Sequence, residues 1–496
     1  MQRDARKGTE STPQSSRRGP GRARAPKSLG SYLDLIRDNP AEFQTVSRTV
    51  NPMNFDVTGL LGVLNQRREY PTVQFNNPLD MRGKPSKFPI VTNLWGTRER
   101  CAEMVGLPRS EAGVRLGTLL CERIDRKQKP LVIPGRAAPV QQNVLTGKKA
   151  DLWMFPVVRH FEMDLGGVML MGLIAKPPRE DFYNITFVKA FPEAPQRAGL
   201  TVHTLHMSRI LREWEALKQP CRVAYVLGHH PAFWLGTLNN TPWGDNEYAT
   251  CGGFLQEPVR LTPSVTWGKD FLVPADAEIV IEGEVVPGER TVVNPFGDIS
   301  TQYQAQQLGP VMVPKAVTYR NGALFQDVFS GHREHMLLGS IPREGTIFNQ
   351  LKHKMGIVTA VHMPYSGCAR FTAYISIKKT EEGQAKTAGL QALAHVPNLN
   401  AVVVVDDTID VFNEEEVLWA VNFQVEPRRD ISVIENMRPT SDPRALGAAR
   451  VIIDATRPTH IAFPTKLKVP QSAMDRMKLD EWLDPANAGA AKGRAR

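Results

Sequence analysis

From residue 167 to residue 286 the chain reads as short β-prone runs cut by Gly, Pro and Asp. Residues 167–174, 184–190, 222–227 and 277–286 are rich in Val, Ile, Phe and Tyr and are bounded by turn residues, which predicts strands. One helix interrupts them. Met207, Ile210, Leu211, Trp214 and Leu217 recur at three- and four-residue intervals, giving residues 207–217 a single apolar face. Several short strands around one helix predict a barrel-like domain.

Beyond residue 330 the pattern changes to alternating strands and helices. Residues 357–361 and 371–377 predict strands, residues 384–394 a helix, and Ala-Val-Val-Val-Val-Asp406 a strand apolar on both faces, as in a buried parallel sheet. Asn413 then caps a helix whose first turn carries Glu414, Glu415 and Glu416, where the helix dipole favours negative charge. At the other end, residues 31–37 predict a short helix, followed by the run 57–66 and a Pro/Asn/Gly-rich stretch over 76–84. The division this predicts is a basic tail over 1–27, an α/β domain over 28–120, a β-rich domain over 121–320, an α/β domain over 330–470 and a C-terminal tail over 471–496. No internal repeat is visible.

With 496 residues, 42% of them hydrophobic, the chain can bury more than one core. No apolar run approaches the roughly 18 residues of a membrane span, and no apolar signal segment opens the chain, so a soluble, cytoplasmic protein is expected. Cys101, Cys121, Cys221, Cys251 and Cys368 are odd in number and widely spaced, which predicts reduced, packed thiols instead of a disulfide framework or zinc knuckle. The net charge of +10 would suggest nucleic acid were it not confined to the tails. Eight Lys and Arg in residues 1–27 face only Asp4 and Glu10, and Lys492, Arg494 and Arg496 add three more charges, leaving about +1 between. A nearly neutral body argues against a nucleic-acid partner.

Familiar signatures are missing. No Gly-x-Gly-x-x-Gly follows a strand, and there is no phosphate-binding Gly-x-x-x-x-Gly-Lys-Ser/Thr, no Gly-x-Ser-x-Gly elbow and no His-Glu-x-x-His helix. His332 and His335, in Gly-His-Arg-Glu-His, have helical spacing, but two histidines alone make an incomplete metal site. The most informative segment is Val293-Asn294-Pro295-Phe296-Gly297-Asp298, a Pro/Gly turn after a period-two strand and a loop at Pro287-Gly288. Its single carboxylate is suited either to turn formation or to proton donation.

Together with its preceding strand, this segment resembles the core of UbiD-type decarboxylases, which use a prenylated FMN. The resemblance extends to Asn184 in Asn-Ile-Thr-Phe-Val-Lys, His206 in Leu-His-Met-Ser-Arg-Ile-Leu-Arg-Glu-Trp and Glu247 in Asp-Asn-Glu-Tyr-Ala-Thr-Cys-Gly-Gly. It runs from about Ser31 to Arg457 and ends in Val-Val-Asp-Asp-Thr-Ile-Asp-Val-Phe412 and Ile-Asp-Ala-Thr-Arg457. It implies a multidomain α/β and α+β fold: an N-terminal α/β cap, a central flavin-reductase-like split β-barrel and a C-terminal α/β domain. It also implies that Asn184, His206 and Glu247 hold Mn²⁺ or Mg²⁺ against the flavin phosphate, with K⁺ as a further candidate. Thr186, Phe187, Val188, Lys189 and Leu205 would complete the cofactor site.

The family's Glu, Arg, Glu/Asp network is matched only in part. Its Arg position is Lys189, its first Glu falls on Val293, its last acid is Asp298, and a phosphate-side Lys falls near Asn400. Lys replaces a planar fork with a point charge. The implied activity is reversible, non-oxidative decarboxylation of an aromatic or α,β-unsaturated acid, a hydroxybenzoate or aryl-CoA among them, with burial raising the pKa of Asp298 so that it can donate a proton. A flavin prenyltransferase would supply the cofactor, and the assembly would be a homo-oligomer, dimer or hexamer. An FMN-binding reductase and a non-catalytic binding or assembly homologue are the alternatives.

Overall fold

The computed structural model describes residues 26–239, 241–437, 449–464, 466, 467 and 469–482. Nearly all of the predicted basic tail, and residues 483–496, lie outside the described residues. Helix α1 (Leu29–Ile36) opens the fold, its first turn closed by reciprocal bonds between Ser28 and Ser31. Strands β1 (Phe43–Val50), β2 (Thr72–Pro78) and β3 (Ile90–Thr92) form a small mixed sheet, with helix α2 (Asp56–Gln66) between the first two.

Six strands then close on themselves. They are β4 (Met169–Ala175), β5 (Asn184–Ala194), β6 (Arg197–Thr201), β7 (Cys221–Leu227), β8 (Ile279–Val293) and β9 (Gln307–Tyr319). Their order is β8-β7-β4-β5-β6-β9, every neighbour antiparallel, and β9 pairs back onto β8 from Ile279↔Tyr319 to Val293↔Gln307. Closure leaves no open edge in the ring. All seven positions of β4 are buried, as expected of a strand packed on both faces. Three helices interrupt the barrel: α3 (Leu205–Ala216), a short one over Pro231–Thr237, and α4 (Glu247–Leu255). The loop expected at Pro287-Gly288 is instead an irregular stretch inside β8, where the register shifts between Val285 and Arg290. Because β9 pairs with both halves, the strand continues through the Pro and Gly.

After the barrel the chain returns to the first sheet, where β10 (Phe325–Gln326) pairs in parallel with β3. A single apolar core running from Leu29 to Ile341 accordingly joins the N-terminal layer to the barrel. Helix α5 (Arg333–Met355) leads into the last sheet. Its strands are β11 (Val358–His362), β12 (Thr372–Ile377), β13 (Ala401–Asp406), β14 (Ile431–Ile434) and β15 (Arg450–Ala455), ordered β11-β12-β13-β15-β14. The centre β12-β13-β15 is parallel, and helices α6 (Gln384–His395) and α7 (Glu414–Gln424) connect its strands. As its sequence predicts, β13 is buried on both faces, and Asn413 caps α7 by accepting from the Glu415 N–H. All five cysteines are free, Cys368 alone being partly exposed. Among the described residues, no helix is long and apolar enough to cross a membrane.

Candidate active site

Strand β5 carries two polar clusters, one at each end of its first six residues. At its start the chain is laced to the first turn of α4. The Glu247 N–H donates to the Tyr183 carbonyl, while the Ile185 N–H and Asn184 Nδ2 donate to the Glu247 carboxylate, the latter at 2.8 Å. Thr241 Oγ1 donates to the same Oε1, also at 2.8 Å. Burial pushes the Glu247 carboxyl up to about 8, against these three donors, because a carboxylate loses its hydration when enclosed.

Three bonds leave one lone pair on Oε2 unused, and the buried Asn184 Oδ1 has no partner at all. An orphaned amide oxygen beside a desolvated carboxylate fits a hard divalent cation, which would satisfy both. His206 lies on the first turn of α3 and is not bonded to either group; its ring meets Trp243 edge-on, with centroids 5.4 Å apart. Trp243 in turn touches Phe182 and stacks under Arg209, so it ties the segments bearing Asn184, His206 and Glu247 together. Burial lowers the pKa of His206, with help from Arg209, and favours the neutral imidazole that a metal requires. Thr186 Oγ1 bonds Thr204 Oγ1 at 3.1 Å, linking β5 to the start of α3 beside Leu205. Phe187 packs edge-on to Trp234, and Val188 is buried. Among the described residues no three His, Cys, Asp or Glu side chains gather as a metal cluster, consistent with a set that depends on an amide.

Five residues along β5, Lys189 Nζ stands 2.8 Å from Asp298 Oδ1, both side chains 7% exposed. Asp298 follows a two-residue strand, Phe296–Gly297, that pairs with Tyr303–Gln304. This small hairpin brings Gln304 Nε2 to within 2.8 Å of Asp298 Oδ2. Burial alone would raise the pKa of Asp298, but the charge of Lys189 and bonds from Lys189 and the Ile299 N–H outweigh it. The carboxyl is held well below its usual range. The expectation of an elevated pKa is thereby overturned, since the residue at the Arg position supplies its cation directly. Val293, where the family has its first Glu, lies in an apolar cluster with Val168, Phe191 and Phe296 and offers no second acid.

The start of α5 packs against this hairpin. Gly331 has φ +65°, and a Cβ there would stand 2.9 Å from the Asp298 carbonyl oxygen, so a side chain is excluded on both counts. His332 stacks on Phe329 with both ring nitrogens unpartnered, and His335 Nδ1 accepts from the Gly331 N–H. The two histidines thus make different contacts, His332 with the Phe329 ring and His335 with the Gly331 N–H. Burial and then Arg370 push His335 down to about 3, so it is neutral. Arg370, just before β12, is 5% exposed and feels the Asp298 charge. Neither the sequence spacing nor any motif marked it, because it lies 72 positions beyond Asp298 and in another sheet.

Compared with known proteins, the chain matches three descriptions of one family in order. They are the 3-octaprenyl-4-hydroxybenzoate carboxy-lyase N-terminal domain over 38–120, the Rift-related domain over 132–333 and the C-terminal domain over 336–455. It is 28% identical over 455 residues to phenolic acid decarboxylase of Sedimentibacter hydroxybenzoicus, covering 88% of this chain and 92% of that one. It is also 28% identical over 380 residues to anhydromevalonate phosphate decarboxylase of Methanothermobacter thermautotrophicus, covering 76% and 87%. An evolved dimeric form of the UbiD-class enzyme HmfF from Pelotomaculum thermopropionicum, solved with prFMN, superposes with a TM-score of 0.82 at 28% identity, over 92% of this chain and all of that one.

Proposed function

Because the chain belongs to the UbiD family of carboxy-lyases, we propose that its two polar clusters divide the work of one flavin-dependent decarboxylase. As a member it removes CO₂, reversibly and without net oxidation, from an aromatic or α,β-unsaturated acid, and its cofactor is a flavin. We read the barrel as a split barrel of the flavin-reductase kind under an α/β cap. Prenylated FMN, when bound, supplies an electron sink for the carbon that loses CO₂. Asn184 Oδ1, the Glu247 carboxylate and the His206 imidazole would hold Mn²⁺ or Mg²⁺ at the phosphate end, with K⁺ a possible addition. Thr186, Phe187, Val188, Lys189 and Leu205 would line the cofactor. The observation supporting the clamp is the unpartnered Asn184 oxygen beside the desolvated Glu247.

The observation that carries the chemical reading is the buried Lys189–Asp298 pair. At rest the pair holds its mobile proton on Nζ, because the depressed pKa of Asp298 keeps Oδ1 ionised. The ammonium can share the incoming substrate carboxylate. CO₂ leaves as a neutral molecule, so the negative charge stays with the carbon it departs from. The proton then passes from Nζ to Oδ1 and from Oδ1 to the carbon, leaving neutral Lys189 to be reprotonated by solvent. Phe296, from the Val293 cluster, has its ring centroid 5.3 Å from Lys189 Nζ, so this apolar cluster borders the pair. We further propose a homo-oligomer supplied with cofactor by a flavin prenyltransferase.

The test is purification from cells co-expressing such a prenyltransferase, followed by cofactor mass, absorption spectrum and CO₂ release from a panel of benzoates, hydroxybenzoates, cinnamates and dienoic acids. A prenylated flavin with turnover of at least one acid is expected. Ordinary FMN with NADH oxidation would replace this reading with the reductase one.

A further inference from the structure

Beyond the Lys189–Asp298 pair, two arginines meet at the Gly339 carbonyl without a carboxylate bonded to either. Arg370 is 5% exposed, its Nε has no partner, and its Nη1 reaches only the Gly339 carbonyl at 3.5 Å. Arg343 donates to the same carbonyl and keeps part of its side chain exposed. Among the described residues neither guanidinium forms an ion pair; the one carboxylate whose charge Arg370 feels is Asp298, already bonded to Lys189. Two other cations of this fold are paired, Arg98 with Glu344 through two bonds and Arg100 with Glu42, while buried Arg123 is bonded to the Phe254 and Val105 carbonyls.

The crowding at Gly339 is built in, since a side chain there would overlap the Arg370 guanidinium. His335, in the same turn region, is neutral and contributes no charge. Arg370 thus shares with Lys189 the one carboxylate whose charge it feels, and Arg343 beside it has no carboxylate of its own. Burying charge without a counter-ion is costly, so the guanidinium pair calls for an anion brought by a ligand.

We propose that Arg370 and Arg343 form an anion subsite that makes the enzyme selective for acids carrying a second negative group remote from the carboxylate that leaves. The proposal rests on the decarboxylase reading and names the substrate class within it: a planar dicarboxylate or its like, one end beside Lys189 and Asp298, the other on the guanidinium pair. A planar fork suits a carboxylate held in two places.

The probes are two near-isosteric pairs, trans,trans-muconate against sorbate and terephthalate against 4-methylbenzoate, titrated calorimetrically into cofactor-loaded enzyme. Charge-assisted bonds of this kind correspond to about 10–100-fold in affinity, so each dianion should bind at least 10-fold more tightly than its partner. In Arg370→Met that ratio should fall toward one, and Arg370→Lys should restore part of it, which a merely misfolded protein would not do. Equal binding within each pair, with turnover of the monoanions, would overturn the subsite while leaving the decarboxylase reading intact. Failure of all four acids to bind would overturn the subsite, whereas only the absence of turnover across the wider panel would overturn the decarboxylase reading. Loss of flavin from Arg370→Met with an unchanged ratio would assign the guanidiniums to the cofactor phosphate and overturn the subsite as well.

Discussion

Lys189 Nζ lies 2.8 Å from Asp298 Oδ1, although the two residues are 109 positions apart and only one of them stands on the barrel wall. The contact exists because β8 runs on past Pro287-Gly288 to Val293 and delivers the Phe296–Gly297 hairpin to the face of β5 that Lys189 occupies. A cation supplied by the barrel and an acid supplied by the hairpin thus form a single titrating unit.

If that unit delivers the proton, Asp298→Asn keeps the bond to Gln304 but removes the acceptor that relays the proton from Lys189. General acid catalysis is worth about 10²–10⁴-fold, and turnover should fall by that order. Exchange of the product hydrogen with D₂O, followed by NMR, should fall in parallel while flavin content holds. Exchange near the wild-type rate would transfer the role to another group. Lys189→Arg should keep measurable activity, since the charge remains beside Asp298.

The clamp makes a separate prediction at the other end of β5. Glu247→Gln can still accept from Thr241 but loses its charge, and His206→Ala loses the imidazole. Both variants should retain their fold by circular dichroism yet lose bound manganese and, with it, flavin on desalting. Metal analysis and the flavin absorbance would check this. Undiminished metal in both variants would refute the assignment.

Glu344, in the middle of α5, joins the first domain to the last. Arg98 grips it through two nitrogens and His362 Nδ1 lies 2.9 Å away. Burial alone would raise its pKa, but Arg98 and His362 lower it from 4.5 to about 2. Because the folded value is depressed, the carboxylate stabilises the fold above pH 4.5, and that contribution disappears as pH falls from 4.5 through about 2. The size is about 3 kcal/mol. Glu344→Gln should therefore unfold in less urea than the wild type at pH 7, with the gap closing as pH is lowered toward 3. A constant gap over that range would show that the ion pair contributes no pH-dependent stability.

How much of this was readable in advance differs by residue. The strands over 184–190, 222–227 and 401–406 and the Asn413 cap follow from local patterning, and the structure contains them. Asn184 and Glu247 were paired by resemblance, and their direct bond needs only that α4 begin beside β5. The sign of the Asp298 shift was not readable. Burial and a neighbouring cation act in opposite directions, and only the 2.8 Å distance decides which wins. Arg370 and the return of Phe325–Gln326 to the first sheet were also hidden, because contacts between distant segments leave no periodic trace in either one.

Gly339 offers a test in which helix propensity and site geometry have opposite signs. It lies inside α5, where Ala is ordinarily better than Gly by about 0.5–1 kcal/mol. Here the added methyl would displace the Arg370 guanidinium, whose bond to the Gly339 carbonyl is weak at 3.5 Å. The helix should gain, while the buried cation is pushed from its place. Gly339→Ala should consequently melt within a few degrees of the wild type, roughly what 1 kcal/mol yields in a chain of this size, yet show a raised KM for a dianionic acid with kcat changed less. The same substitution should alter the KM of a monoanionic acid much less. A Tm lowered by ten degrees or more, or an equal rise in KM for both kinds of acid, would mean that Gly339 serves packing and not the placement of Arg370.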